Sequence, residues 1–284
     1  MISCIICSRQ TDLSAELKEN IASTIGCEYE LVVIDNSKNE YSIFSAYNEG
    51  VRRAQGDILC FMHEDVLYHT DGWGKSVVDY FLQYPSVGLL GVAGTHFLSH
   101  IPSGWWETEC KSCHLIQGYT ENGEYKSSIS DIRTYMSNPT CLVAIDGLWM
   151  CMRKDVFIQV SWDDVTFNGF HAYDVDMSLQ IWSTGLQVHM IWDVLIEHKS
   201  LGCFDDCFYD AYAKLWAKWR EILPMNKGVE LSIQEYEIRT RIVELNEKIR
   251  KQHKQITSIY SSKAYRLGNL ILKPIRKIKK LLYL

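Results

Sequence analysis

The chain contains 284 residues, of which 47% are hydrophobic and 23% are charged, and its formal net charge is −6. This length and apolar content suffice to bury one α/β domain with an appendage, which excludes an intrinsically disordered chain. No run of 18 uncharged apolar residues occurs, so we expect no membrane-spanning helix. An acidic body without a reader motif also argues against a nucleic-acid partner.

Ten cysteines are present, but their spacing lacks the repeated pairs that predict a zinc site. Several lie within apolar runs, which is typical of buried thiols. Because Met1 leads directly into the first predicted strand, we expect no signal peptide and a reducing, cytoplasmic compartment.

The N-terminal part of the chain alternates apolar runs with a helical period. Residues 2–7 form an apolar run that ends at Ser8, residues 13–25 have a helical period, and residues 30–34 form a second run that ends in Asp35 and Asn36. This order predicts a doubly wound α/β sheet whose parallel strands end on one edge. Polar residues at that edge are ligand candidates, although an aspartate there also serves simply to start a turn.

The stretch from residue 45 to residue 65 carries the strongest functional signal. It predicts a helix that ends at Gly56, a buried strand over residues 58–62, and then His63 and Asp65 at the carboxyl end of that strand. Ligands of open α/β sheets bind just outside such strand ends. The sequence therefore predicts a binding site here, while a hydrogen-bonded structural histidine remains the alternative for His63.

This stretch resembles the pattern N-x-G-x-x-x-A-x-G-D-x-x-x-F-x-D-x-D of inverting, family-two glycosyltransferases with the GT-A fold, as in bacterial capsule and surface-polysaccharide synthesis. The matching residues are Asn48, Gly50, Ala54, Gly56, Asp57, Phe61 and Asp65. His63 departs from the pattern because it replaces the first aspartate of D-x-D.

The resemblance implies a GT-A fold, which is a Rossmann-like, mixed but mostly parallel sheet flanked by helices, over residues 1–202. It implies that Asp65 binds Mn²⁺ or Mg²⁺, and that His63 is a further ligand or a donor to ribose or phosphate. It also places Asp35 against the nucleotide base. The expected nucleotide-sugar contacts are Ser8, Asp35, Asn36, Asn48, Asp57 and His63.

A second motif opens a predicted helix that is closed by Gly185. Asp174 and Asp176 lie in its first turn, where capping and the helix dipole alone could account for two carboxylates. In the resembled family a Glu-Asp pair stands here, and its aspartate takes the proton from the acceptor hydroxyl. Tyr173 replaces the glutamate, so Asp174 is the expected catalytic base and Asp176 the alternative.

Three further regions complete the expected site. His198 follows a predicted strand and resembles the late histidine that reaches the metal or diphosphate in such enzymes, although a structural role is as plausible. Gly147 and Trp149 resemble the turn and strand on the acceptor side, while a core position is the alternative for Trp149. Residues 96–135 show little periodicity, and we expect an irregular insertion that forms a mobile flap.

The C-terminal part changes character after residue 202. Residues 203–228 predict a packing helix and a linker, and residues 229–260 carry apolar side chains at three- and four-residue spacing, which predicts a coiled coil and a possible homodimer. Residues 261–284 contain seven lysines and arginines, no acid, and interleaved leucines and isoleucines. Such a basic amphipathic tail is typical of binding to an anionic membrane surface.

Together these signals predict an inverting, metal-assisted glycosyltransferase with a nucleotide-diphosphate sugar as donor and a saccharide or lipid-linked acceptor. The protein would lie on the inner face of the cytoplasmic membrane. Because His63 and Tyr173 depart from the pattern, a catalytically inactive nucleotide-sugar or carbohydrate binder is the alternative. A nucleotidyltransferase is disfavoured, since residues 7–10 lack a glycine-rich phosphate loop.

Overall fold

The computed structural model describes residues 1–202, 204–270 and 272. Most of the predicted basic tail, at residues 271 and 273–284, lies outside the described residues.

The secondary structure follows the predicted alternation in the N-terminal part of the chain. The strands are β1 (Ile2–Ser8), β2 (Tyr29–Asp35), β3 (Ile58–Met62), β4 (Val66–Tyr68), β5 (Val87–Gly91), β6 (Ala93–Thr95), β7 (Phe97–Leu98), β8 (Lys111–Glu121), β9 (Glu124–Ile132), β10 (Thr140–Cys141), β11 (Ala144–Ile145), β12 (Trp149–Arg153), β13 (Gln187–Met190), β14 (Ile196–His198) and β15 (Met225–Asn226). The α-helices are α1 (Ala15–Thr24), α2 (Ile43–Arg53), α3 (Trp73–Gln83), α4 (Tyr173–Ser183), α5 (Asp206–Trp219) and α6 (Ile233–Ser261), and short 3₁₀ turns span Trp105–Thr108 and Lys154–Ile158.

A seven-stranded mixed sheet forms the centre of the molecule, in the order β10-β13-β5-β12-β3-β1-β2. β1 pairs in parallel with β2 and β3, while β12 runs antiparallel between β3 and β5. The register places Ser8 opposite Asp35, so the first strands end on one edge, as expected. The predicted mixed, mostly parallel α/β fold is confirmed.

Helix α2 packs so closely on this sheet that the packing explains one of the motif glycines. The helix begins after Ser42, whose side chain accepts a hydrogen bond from the Ser45 N–H in a capping box. A Cβ atom at Gly50 would lie 2.2 Å from Cγ2 of Ile5 on β1. Gly50 therefore lets the helix approach the strand, which gives this position of the pattern a structural role.

The expectation of an irregular flap at residues 96–135 is wrong. β8 and β9 form a long antiparallel hairpin, and β8 also joins the second sheet, in the order β11-β6-β8-β14-β4. Asn122 and Gly123 make its turn with φ values of 54° and 83°. An Asn-Gly pair between two candidate strands is a strong signal of a hairpin, because both residues tolerate positive φ. Asn122-Gly123 therefore indicates this turn in the sequence itself.

Two helices follow the last strand of the second sheet. Helix α5 buries Phe208, Tyr212, Leu215 and Trp216 against the domain. Helix α6 begins at a capping box between Ser232 and Glu235 and is 29 residues long. Among the described helices, none combines the length and the apolar content that crossing a bilayer requires.

Candidate active site

A cavity of about 520 Å³ lies at the carboxyl ends of β1 and β3. The turn before β12, the start of α4 and the residues after β14 complete its walls. The polar residues that line it are Arg9, His63, Glu64, Asp65, Asp146, His171, Tyr173, Asp174, His198 and Ser200, and an aromatic wall is formed by Phe170, Phe204, Phe208 and Tyr212. The sheet thus presents its strand ends to one concave space, where α/β folds usually bind ligands.

Three potential metal ligands converge in this cavity. Nδ1 of His63 lies 3.2 Å from Nε2 of His198, and Oδ1 of Asp65 lies 3.5 Å from the same Nε2 and 4.0 Å from Nδ1 of His63. Octahedral ligands about 2.1 Å from a cation are about 3 Å apart when they are neighbours. The two imidazole nitrogens and the carboxylate therefore fit a single divalent cation.

The three groups also perturb one another electrostatically. Burial alone would raise the pKa of Asp65. The hydrogen bond with His198, helped by the charges of both histidines and a hydrogen bond with Ser200, instead holds that pKa well below its usual range. Burial by itself would lower the pKa of His198, but the hydrogen bond with Asp65 and the negative charges of Asp65 and Asp146 together outweigh burial and raise it. Burial and the neighbouring His198 lower the pKa of His63. Asp65 is thus ionised and His63 neutral near pH 7, which are the forms that bind metal.

Tyr173 supports the cluster from behind His63. Its Oη lies 2.7 Å from Nε2 of His63, on the opposite side of the ring from Nδ1. Gly147 makes room for it, since a Cβ atom there would lie 2.3 Å from the Tyr173 Oη. A neutral His63 that presents Nδ1 to a metal carries its proton on Nε2, which then donates to Tyr173.

Asp174 lies beside this arrangement with 8% of its surface exposed. Its Oδ2 accepts a hydrogen bond from the Gly147 N–H at 3.1 Å, and its Oδ1 accepts one from the Val175 N–H at 2.9 Å. Burial, followed by the nearby carboxylate of Asp146, raises the pKa of Asp174 to about 7. A carboxylate of this kind can accept a proton near neutral pH.

The cavity also contains polar residues that the sequence did not reveal as site residues. Asp146 lines it and acts electrostatically on His63, His198 and Asp174. Glu64 accepts a hydrogen bond from the Ser8 hydroxyl at 2.5 Å. Asp146 stands at the end of an apolar run, just before Gly147. That position at the end of a predicted strand is the sequence feature that indicates a site residue.

The residues expected to contact the nucleotide divide into two groups at the edge of the sheet. Ser8 is buried and supports Glu64, and the buried Asn36 bonds to the backbone N–H and C=O of Tyr41, which shapes the loop after β2. Asp35 is exposed at the end of β2 and accepts a hydrogen bond from the Ser37 N–H at 2.9 Å. Of these three, Asp35 presents an accessible side chain.

Asn48 and Asp57 match the motif but lie away from the cavity. The Asn48 side chain bonds to the backbone C=O and N–H of Trp162, at 2.8 and 3.2 Å, and so fixes a loop. Asp57 precedes β3 at the opposite edge of the sheet, where its side chain is 93% exposed and lies 3.6 Å from the N-terminal amine. We therefore leave both out of the proposed donor site.

Trp149 and Asp176 are also buried away from the cavity. Trp149 has no exposed surface and donates from Nε1 to the Tyr68 hydroxyl at 3.0 Å, so it cannot stack on a sugar. Asp176 is 1% exposed and is bound by Lys218 and Trp219 of α5, each at 2.7 Å. Asp176 connects α4 to α5 and leaves Asp174 as the carboxylate of this motif that reaches the cavity.

The fold is mixed α/β with a polar cavity at the strand ends, and a family model assigns the class of protein to which it belongs. A family model described as "Glycosyltransferase like family" matches residues 1–223, and the chain belongs to that family. Curated proteins give no match.

Solved structures give matches at low identity. GalNAc-T7, crystallised with UDP, GalNAc and Mn²⁺, is 12% identical with a TM-score of 0.48; the match covers 72% of this chain and 45% of that chain. A197 from STIV is 12% identical with a TM-score of 0.37, over 72% of this chain and 86% of that chain. The chain thus aligns with less than half of the GalNAc-T7 chain.

Proposed function

We propose that this glycosyltransferase moves a sugar from a nucleotide-diphosphate donor to a hydroxyl of a saccharide or lipid-linked acceptor, with inversion and with a divalent metal. The proposal rests on the residues that line one cavity. A metal-ligand cluster and a buried carboxylate with a raised pKa line the same space.

On the donor side, His63, Asp65 and His198 would hold the cation. Two imidazoles and one carboxylate suit Mn²⁺ better than Mg²⁺, which prefers oxygen ligands. A bound cation would neutralise the developing charge of the leaving diphosphate. Asp35, exposed at the end of β2, is the proposed contact of the nucleotide base, and Arg9, which lines the cavity, would attract the anionic donor.

On the acceptor side, Asp174 is the proposed base. Inversion by a single displacement requires one carboxylate that takes the proton of the attacking hydroxyl, which typically contributes about 10² to 10⁴ in rate. The Gly147 and Val175 N–H groups hold both Asp174 oxygens in place, so the carboxylate is positioned before the acceptor arrives.

The donor is found first by screening nucleotide sugars for a shift in melting temperature, with and without Mn²⁺. A ligand at 100 times its dissociation constant stabilises by about 2.7 kcal/mol. A stabilisation that requires the metal supports the proposed donor site. Stabilisation of the same size without metal would contradict the metal assignment.

Asp174→Asn then tests the chemistry. The amide cannot accept a proton, so we expect donor affinity in calorimetry to remain and sugar transfer to fall by about 10² or more. Asp57→Asn, on the exposed opposite edge, is the matched control and should change neither quantity. Unchanged turnover of Asp174→Asn would contradict its role. Donor binding without turnover in the unaltered protein would instead favour the inactive binder.

We further propose that the tail at residues 261–284 holds the protein on the inner face of the cytoplasmic membrane, for transfer to a lipid-linked acceptor in surface-polysaccharide synthesis. Leu267, Leu270 and Leu272 are exposed, by 61%, 70% and 43%, and each cation contributes roughly 1 kcal/mol near an anionic leaflet. Deleting residues 261–284 should therefore release the protein from anionic vesicles in cosedimentation. Equal vesicle binding by both chains would contradict this role.

A further inference from the structure

Tyr212, on α5, lines the candidate active site with a hydroxyl that the chain itself leaves without a partner. The residue is 3% exposed. Its hydroxyl makes no hydrogen bond among the described residues, although buried polar groups are nearly always hydrogen-bonded. A buried donor on a cavity wall therefore indicates a partner that arrives with a ligand.

The charges around Tyr212 show which space its hydroxyl serves. Tyr212 also borders a second cavity, of about 390 Å³, between α5 and α6. However, burial and then the carboxylates of Asp174 and Asp146 raise the pKa of the phenol well above its usual range, and both carboxylates line the active-site cavity. The Tyr212 hydroxyl therefore lies near the proposed base, and it stays protonated, as a donor, throughout the neutral pH range.

Helix α5 holds the Tyr212 ring in place. The ring stacks with Phe208 at 4.2 Å and with Trp216 at 5.7 Å, each four residues away on the same face of the helix. Trp216 is fixed in turn, because its Nε1 donates to the backbone C=O of Ser99 at 2.9 Å. The hydroxyl is thus positioned before a ligand arrives, which is the condition for a contact that orients a substrate.

The wall around this hydroxyl is aromatic. The Phe204 ring lies 5.2 Å from the Phe208 ring and 4.7 Å from the Trp106 ring, yet Phe204 remains 50% exposed and lines the cavity. An aromatic wall with a hydroxyl donor suits a sugar ring, which has an apolar face of C–H bonds and hydroxyls at its rim. A hydrocarbon chain would cover the Tyr212 hydroxyl without bonding to it, which is unfavourable at a buried site.

We propose that Tyr212 binds the acceptor, by donating a hydrogen bond to a hydroxyl of a sugar ring that lies on the aromatic wall beside Asp174. The inference rests on the proposed glycosyl transfer, and it narrows the acceptor to a saccharide, free or lipid-linked, rather than a lipid without a sugar. Tyr212 and Asp174 would contact two hydroxyls of one ring. The pair therefore selects acceptors by the arrangement of their hydroxyls.

Binding of methyl hexopyranosides to the full chain tests this contact. The glycosides are titrated in saturation-transfer NMR with the nucleoside diphosphate of the donor and Mg²⁺, because paramagnetic Mn²⁺ would broaden the signals. Tyr212→Phe removes the hydroxyl alone and should raise the dissociation constant of the best glycoside about 10-fold. Tyr47→Phe is the matched control and should leave it unchanged, because the Tyr47 hydroxyl is enclosed by protein and out of reach of a ligand.

Two results of the titration would overturn the proposal. Equal dissociation constants of Tyr212→Phe and the unaltered chain would overturn the hydrogen bond. If the unaltered chain bound the nucleotide but none of the glycosides, the saccharide class would be overturned, whereas the donor half of the proposed function would stand. Transfer to an isoprenoid phosphate but to no glycoside would have the same meaning.

The kinetics of transfer to the best glycoside separate an acceptor contact from a supporting role. An acceptor contact predicts that Tyr212→Phe raises KM for the acceptor about 10-fold, with kcat within about twofold of the unaltered value. A fall in kcat at unchanged KM would mean that Tyr212 acts through Asp174, and would overturn acceptor binding. If the unaltered chain bound both ligands without transfer, the proposed function would fail while the NMR result on Tyr212 stood.

Discussion

Removing the hydroxyl of Tyr173 should weaken metal binding without touching a metal ligand. In Tyr173→Phe, Nε2 of His63 loses its partner at 2.7 Å. The proton can then move to Nδ1, where it would point toward Nε2 of His198 at 3.2 Å and occupy the lone pair that the metal needs. An unsatisfied buried polar group costs about 1 to 3 kcal/mol, and loss of such an outer partner typically lowers metal affinity about 10- to 100-fold.

The assay is a calorimetric Mn²⁺ titration of the full chain without donor. Tyr47→Phe is the matched control, because the Tyr47 hydroxyl is buried in the same wall and has no hydrogen-bond partner among the described residues. We expect a loss of about 10- to 100-fold in Tyr173→Phe and unchanged affinity in Tyr47→Phe. Equal Mn²⁺ affinities of Tyr173→Phe and the unaltered chain would refute the argument that Tyr173 orients His63.

Three further predictions follow from the carboxylates of α4. If Asp174 is the base, kcat/KM should rise about tenfold per pH unit below its pKa of about 7 and level off above it; a flat profile would contradict this. Because its folded pKa is raised above the unfolded value, stability should fall as pH rises from about 4 to 7, and Asp174→Asn should remove that slope in denaturant titrations. Asp176→Asn should leave donor affinity intact but lower the free energy of unfolding by about 2 kcal/mol, since Lys218 loses one of two carboxylates; lost donor binding in a folded variant would contradict its structural role.

The fold was predictable where local patterns decide it. Apolar runs followed by polar strand ends predicted β1, β2 and β3, and their parallel pairing is confirmed. The hairpin of β8 and β9 was missed because β9 is mostly exposed and β8 mixes buried with half-buried positions, so neither strand shows a clear apolar alternation, although Asn122 and Gly123 signal the turn. Local pattern thus identifies buried strands better than exposed ones.

Motif matching could not separate site residues from supporting ones. Asn48, Gly50 and Asp57 match the pattern as well as Asp65 does, yet the first two fix a loop and a helix contact and the third lies at the far edge of the sheet. A pattern records which residue types occur, whereas reaching the cavity depends on which end of a strand they occupy. Asp146, outside the pattern, lines the cavity for that reason.

The two departures from the pattern are in fact one feature of the structure. His63 and Tyr173 are 110 residues apart in sequence, and their side chains are hydrogen-bonded to each other. In the pattern these positions carry an aspartate and a glutamate, which would repel at this separation unless a cation or a proton lay between them. An imidazole and a phenol avoid this repulsion, because both groups are uncharged and one hydrogen bond joins them. The pair therefore leaves Nδ1 of His63 for the proposed metal and gives Nε2 a fixed partner.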